Sequence, residues 1–161
     1  MSDFVIESSD KLLDNVGWEI LSALQNDARL SYAEIGRRVG LSAPAVMERV
    51  RRLEEAGIIT GYCAQVDVTR LGLPIVAMIR VRYPGERYPQ IRKMAENCAN
   101  VLECHHITGE DCMFLKVAAE SMPHLESLIE SFAAYGQTTT SLVLASPVTG
   151  RVIDRRPNGK A

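Results

Sequence analysis

The stretch SYAEIGRRVGLSAPAVMERVRRLEEAGIITGY, residues 31–62, decides the N-terminal fold. Ser31 and Glu34 stand at capping-box spacing, where a hydroxyl and a carboxylate satisfy amides that a helix start leaves unpaired. The helix they open is short and runs to about Arg38, because Val39-Gly40-Leu41 reads as a turn. Ser42 opens another helix, and Pro44 is tolerated in its first turn. Val46, Val50 and Leu53 recur at helical spacing and form its apolar stripe, and Gly57 ends it. Upstream, Val16, Ile20, Leu21 and Leu24 mark a first helix that Asn26-Asp27 closes. Helix, short helix, glycine turn and third helix make a helix-turn-helix layout. Ile58-Ile59-Thr60-Gly61-Tyr62 reads as a strand or wing leading out of it, so residues 1–62 form one expected unit.

Residues 63–74 read as a linker, punctuated by Gly72 and Pro74. Beyond it the pattern turns to alternating segments. IVAMIRVRY (75–83) is strand-like. Residues 88–99 are helical, with Ile91, Met94, Ala95 and Cys98 on one face. Strands follow at 101–107 and 112–119 around a turn, then a helix capped by Ser121 with Leu125, Leu128, Ile129 and Phe132 inward, then a strand from Thr138 to about Ala145. The order βαββαβ predicts a ferredoxin-like domain over 75–148. The fold class is therefore α+β: a winged helix-turn-helix, a βαββαβ domain and a basic tail at 149–161. That tail reads as a solvated end, or as one that touches DNA or a neighbouring subunit.

Composition bounds the function. The 161 residues are 47% hydrophobic and 24% charged, which suits small globular domains. Net charge is -2, so any attraction to phosphate must be local. Between Arg29 and Arg52 six arginines face two glutamates, a local balance of +4. No apolar run is long enough to span a bilayer. The first residues lack a basic-then-apolar signal pattern. The four cysteines show no CxxC spacing, and reduced thiols in the cytoplasm are the expectation.

With Val46, Val50 and Leu53 inward, the opposite face of the third helix carries Glu48, Arg51 and Glu55. Ala45, Met47 and Arg52 flank that face, and Arg49 lies nearer the buried edge. Its N-terminal half is small and dipole-positive, which suits entry into a major groove. Ser42, Ala45 and Met47 are candidates for base edges. Arg49, Arg51 and Arg52 are candidates for phosphates or guanine edges. Ser31 and Tyr32, at the second helix's start, are candidates to hold a phosphate through backbone amides. The plainer alternative is a solvated charged face.

The chain resembles the leucine-responsive regulatory protein family (Lrp/AsnC). The resemblance rests on IL-x-x-LQ-x-D-x-R-x-S at 20–31, RRVGLS at 37–42, V-x-x-RVRRLEEAGIITGY at 46–62, ECHHITGEDCMFLKV at 103–117 and TTTSLVLASPV at 138–148. It implies a DNA-binding transcriptional regulator that dimerises through its sheets, stacks into octamers in many members, and responds to an amino acid or related small molecule. Two positions depart from the family pattern. Gly17 stands where an Asp is common after the Leu13-Asp14 pair, and Cys112 stands where the leucine-responsive members carry Asp.

For an effector, the turn Thr108-Gly109-Glu110-Asp111-Cys112 is the candidate lining, with Glu110 or Asp111 for an ammonium and Gln137, Thr138 and Thr140 completing the cleft. The plainer reading makes Gly109 a turn residue and the threonines ordinary strand formers. Cys104 and His106 share a strand face while His105 takes the other, but two ligands make an incomplete zinc site. No metal or cofactor is expected. No nucleophile–base pair stands out, so no enzyme is expected. The alternative function is a small-molecule-binding or metabolic ferredoxin-like module, which leaves the helix-turn-helix without a role. The expected partners are double-stranded DNA, further copies of the chain as a homodimer or octamer, and an amino-acid-like effector, with no membrane.

Overall fold

The computed structural model describes residues 11–109 and 112–154. The chain divides into two compact units. Residues up to Ala64, together with those from Val148, form one, and 65–147 form the other.

In the first unit, α1 spans Asn15–Asn26, α2 Tyr32–Val39 and α3 Ala43–Glu55. Each start has its acceptor: Asp14 for Gly17 N–H, Ser31 for Glu34 N–H and Ser42 for Ala45 N–H. Gly40 closes α2 at φ 70°, a left-handed conformation that glycine adopts without a Cβ penalty. The core is Ile20, Leu24, Ile35, Val46, Val50 and Leu53. Each such aliphatic side chain is worth about 1.5–3 kcal/mol when fully buried. Trp18 is half-buried. A Cβ at Gly17 would sit 2.0 Å from the Leu12 carbonyl oxygen. The backbone therefore approaches too closely there for any side chain, and the family's common Asp would not fit this geometry.

The expected strand at 58–62 does not form. Ile58 N–H and Ile59 N–H both donate to the Leu53 carbonyl, at 2.9 and 3.1 Å, and the two side chains pack onto the helical core. These amides finish α3, and no strand among the described residues of this unit offers them a ladder. The expected free tail also differs. Gln25 Nε2 donates to the Ile153 carbonyl at 3.0 Å, and Ile153 N–H donates to Gln25 Oε1 at 2.9 Å. One side-chain amide thus reads both sides of a backbone residue, and the segment 148–154 returns to its own helical unit.

In the second unit a 3-10 turn, Val68–Leu71, interrupts the expected linker. The strands are β1 Ile75–Arg82, β2 Val101–His106, β3 Met113–Ala119 and β4 Gln137–Leu142. The helices are α4 Tyr88–Asn97 and α5 Met122–Ala133. The sheet is antiparallel in the order β2-β3-β1-β4. Alternation sends Ala77, Ile79 and Val81 of β1 and Met113, Leu115 and Val117 of β3 toward Ile91, Leu125, Leu128 and Phe132 of the helices. No helix among the described residues is long and apolar enough to cross a membrane.

Candidate nucleic-acid interface and ligand cleft

The N-terminal half of α3 is uncluttered. Ser42 and Pro44 are exposed, Ala45 is half-buried, and Met47 is 53% exposed. These side chains are small or flexible, so a groove-sized helix end stands clear. At α2 the capping box is complete. Ser31 N–H and Oγ both reach Glu34 Oε2, at 2.9 and 2.6 Å, and Glu34 N–H returns to Ser31 Oγ. The Ser31 amide, expected to hold a phosphate, is thus taken by a carboxylate that itself repels one. Those bonds hold Glu34 below the usual carboxylate range. Tyr32 lines a shallow cavity of about 290 Å³ with Leu24, Ala28, Leu30, Ser31 and Tyr62. Tyr62 donates to Glu54 at 2.8 Å, and burial, then Glu54, push its phenol up to about 12.

The arginines of α3 all have partners within their own unit. Arg49 clasps Asp14 with both terminal nitrogens, at 2.9 and 3.0 Å, which ties α3 to the cap of α1. That pair, then the Gly17 amide, holds the Asp14 carboxyl below its ordinary value. Arg51 donates to both oxygens of Glu48, at 2.9 and 2.8 Å, and also pairs with Glu55. Arg52 Nε donates to Glu48 Oε1 at 2.9 Å. Glu48, gripped first by Arg51 and then by Arg52, is held at about 2. The helix carries Arg49, Arg51 and Arg52 against Glu48, Glu54 and Glu55, so its formal charge is zero. The basic stretch counted from Arg29 stopped at Arg52 and left out the last two carboxylates. Spacings of three and four residues could have shown these pairs. Asp14 and Arg49, 35 positions apart, carry no such local signal.

At one end of the sheet, Ile107 N–H donates to the Cys112 carbonyl at 3.0 Å and closes the turn between β2 and β3. Thr108 and Gly109 are exposed on it, and Gly109 sits at φ 111°. Glu110 and Asp111 lie outside the described residues. The Cys112 sulfur lies 3.8 Å from the Tyr83 carbonyl and packs against the core. Register places Val81 opposite both Met113 and Thr138, so this turn, the end of β1 and the start of β4 converge. The strand candidates split by face. Thr138 and Thr140 oppose Val81 and Ile79 on the helix side, while Gln137 opposes Arg82 on the other. The Thr140 hydroxyl is buried with no hydrogen-bond partner among the described residues. Cys104 and His106 do share the helix side. His106 lies against Tyr88 with ring centroids 4.5 Å apart and the ring planes tilted by 32°, and burial pushes the Cys104 thiol up. Among the described residues no three His, Cys, Asp or Glu side chains converge as metal ligands.

Comparison with known proteins bears on both units. Residues 13–54 match the family model of the AsnC-type helix-turn-helix domain, and residues 76–153 match that of the Lrp/AsnC ligand binding domain. The HTH-type transcriptional regulator LrpC of Bacillus subtilis is 36% identical over 133 residues, which is 83% of this chain and 92% of that one. Its solved structure superposes with a TM-score of 0.81, covering 85% of this chain and 98% of that chain. The regulatory protein AsnC of Escherichia coli is 31% identical over 142 residues, covering 85% and 93%. The structure of the regulator NMB0573 of Neisseria meningitidis in complex with L-Met has a TM-score of 0.81 at 25% identity, covering 88% and 96%. A capped three-helix unit with a clear groove-sized end, joined to an antiparallel βαββαβ sheet and matched by both family models, places the chain in the Lrp/AsnC family of transcriptional regulators.

Proposed function

We propose that the chain regulates transcription in the cytoplasm by binding double-stranded operator DNA through the N-terminal half of α3, under control of an amino acid or related small molecule, and performs no catalysis itself. The observation that carries this reading is the clear end of α3, where Ser42, Ala45 and Met47 face outward beside buried Val46 and Val50. A helix so presented fits a major groove, with a hydroxyl for base edges and an apolar side chain for a thymine methyl. The effector cleft of this proposal lies at the sheet end where the turn carrying Thr108, Gly109 and Cys112 converges with the end of β1 and with Thr138 at the start of β4. The complex of the relative NMB0573 with L-Met supports an amino acid as the class of effector.

A single helix-turn-helix covers one half-site, so the proposal includes a symmetric assembly. Val76, Met78 and Arg80 of β1 and Phe114 of β3 are half-buried on the face away from the helices, and that face is the proposed contact between copies. The test is a gel shift on the DNA upstream of the gene, with a melting screen against the twenty amino acids. A ligand at 100 times its Kd adds about 2.7 kcal/mol. Failure to retard any duplex removes the DNA half. A flat amino-acid screen removes the sensing half, and a monomer by light scattering at micromolar concentration removes the assembly.

A further inference from the structure

We infer that the phosphate backbone of bound DNA is held by Arg37 and Arg38 of α2, while Arg49, Arg51 and Arg52 of α3 are internal braces. The inference rests on the DNA-binding reading above and assigns the charged contacts within it.

The argument is one of charge already committed. Every guanidinium of α3 holds a carboxylate of its own unit: Arg49 holds Asp14, Arg51 holds Glu48 and Glu55, and Arg52 holds Glu48. These pairs are exposed, and exposed pairs are individually weak, so weakness alone would not stop a phosphate from displacing a carboxylate. Displacement, however, leaves the carboxylate next to the phosphate. Glu48 is shared by two arginines, so freeing either one strands part of a negative charge on the face turned to DNA. With three arginines and three glutamates, α3 brings no net charge to the duplex and releases no counterions.

The last turn of α2 differs. Arg37 and Arg38 are both exposed, and neither makes an ion pair among the described residues. Glu34 is occupied by the capping box, and Ser31 lowers its carboxyl more than the charges of Arg37 and Arg38 do. Their position is also suitable. Val39 to Leu41 alone separate them in the chain from Ser42, the cap of α3, so two cations unpaired among the described residues directly precede the helix end that enters the groove. In helix-turn-helix docking the helix before the recognition helix crosses the backbone. A phosphate there meets a fork of donors that no carboxylate among the described residues has claimed.

The salt dependence of binding counts such contacts. The probe is a fluorescein-labelled 30-base-pair duplex of mixed sequence, titrated by anisotropy at several KCl concentrations. Three variants of the full chain are compared with the parent, their folding checked by circular dichroism. Arg37→Gln/Arg38→Gln should flatten the slope of log K against log [salt] by about 0.9 for each copy of each residue that meets a phosphate. Arg37→Lys/Arg38→Lys should restore most of the slope, because charge is kept. Glu48→Gln/Arg51→Gln/Arg52→Gln/Glu55→Gln removes two charges of each sign and should leave the slope at the parent value. An unchanged slope in the first variant overturns the assignment, and so does equal flattening in the fourfold variant. A parent protein that binds no duplex at any salt overturns the DNA reading and this assignment with it, an outcome distinct from the other two.

Discussion

Replacing Asp14 with alanine removes two interactions at once, and the structure separates them. The carboxylate caps α1 through Gly17 N–H at 2.7 Å and clasps Arg49 of α3. An N-cap changed to alanine costs about 1 kcal/mol. The ion pair lies between side chains 35% and 46% exposed, so solvent screening limits it to about 0.5 kcal/mol despite its two-pronged geometry. Asp14→Ala should therefore cost about 1.5 kcal/mol. Asp14→Asn keeps the capping oxygen and should cost only about 0.5. For a domain of this size 1 kcal/mol moves the melting point by about 4–8 °C. Trp18, the chain's single tryptophan, lies in the first turn of α1, so its fluorescence reports the helical unit alone. The expected falls are about 6–12 °C for alanine and about 2–4 °C for asparagine. The pair also has a pH signature. The folded carboxyl titrates below its ordinary 3.8, so its contribution is complete above that value and fades as pH falls through the lower folded value. The parent and Asp14→Asn curves should converge in strong acid. An alanine variant melting with the parent, or a parent–asparagine gap that does not shrink as pH falls below 3.8, refutes the reasoning.

Three further outcomes follow from the same geometry. Glu48→Gln releases Arg51 and Arg52 from their shared carboxylate, so binding to a mixed-sequence duplex should tighten and its salt slope steepen; an unchanged slope shows that the pairs were not holding charge back. Thr140→Val replaces a buried, unpartnered hydroxyl and should raise the stability of the sheet unit by about 1 kcal/mol in calorimetry, whereas a lowered transition reveals a hydroxyl partner; lost ligand affinity would place that hydroxyl in the cleft. Gly109→Leu forces a side chain onto φ 111°, which costs about 1–3 kcal/mol, and should abolish any amino-acid thermal shift; a preserved shift places the ligand elsewhere.

Local signals carried most of the fold. Ser31 with Glu34, Ser42 with Pro44, and Ser121 each mark a helix start that depends on residues within three positions, and the apolar period marks the buried face. The strand alternation that buries Ile79 and Val81 also places Thr138 and Thr140 together. The wing was misread because Ile58-Ile59-Thr60 has strand propensity, and propensity does not say whether a partner strand exists. The candidate interface was legible as a helix, but its ion pairs were not. Counting arginines does not show which are neutralised, and the brace between Asp14 and Arg49 spans positions that local spacing never compares. The return of Ile153 to Gln25, across 128 positions, is invisible for the same reason.

That return gives the sheet unit a second leash, covalent as far as Ile153 and hydrogen-bonded to α1 from there. Eleven residue steps lead from Ala64 to Ile75 at the start of β1, and eleven lead from Leu142, the end of β4, to Ile153 beside Gln25 of α1. Both leashes leave the same end of one strand pair, since Ala77 lies opposite Leu142 and Val143 N–H bonds the Val76 carbonyl. Fully stretched, each reaches roughly 36–40 Å. A protease nick in the first leash would turn the Gln25–Ile153 contact from one within a single chain into one between two fragments, an association that dilution can break. Cutting the second would leave the helices and the sheet covalently joined by the first leash, and would turn the segment beyond the cut into a separate peptide held to α1 by Gln25. Limited proteolysis at these two places thus yields different kinds of product from one chain.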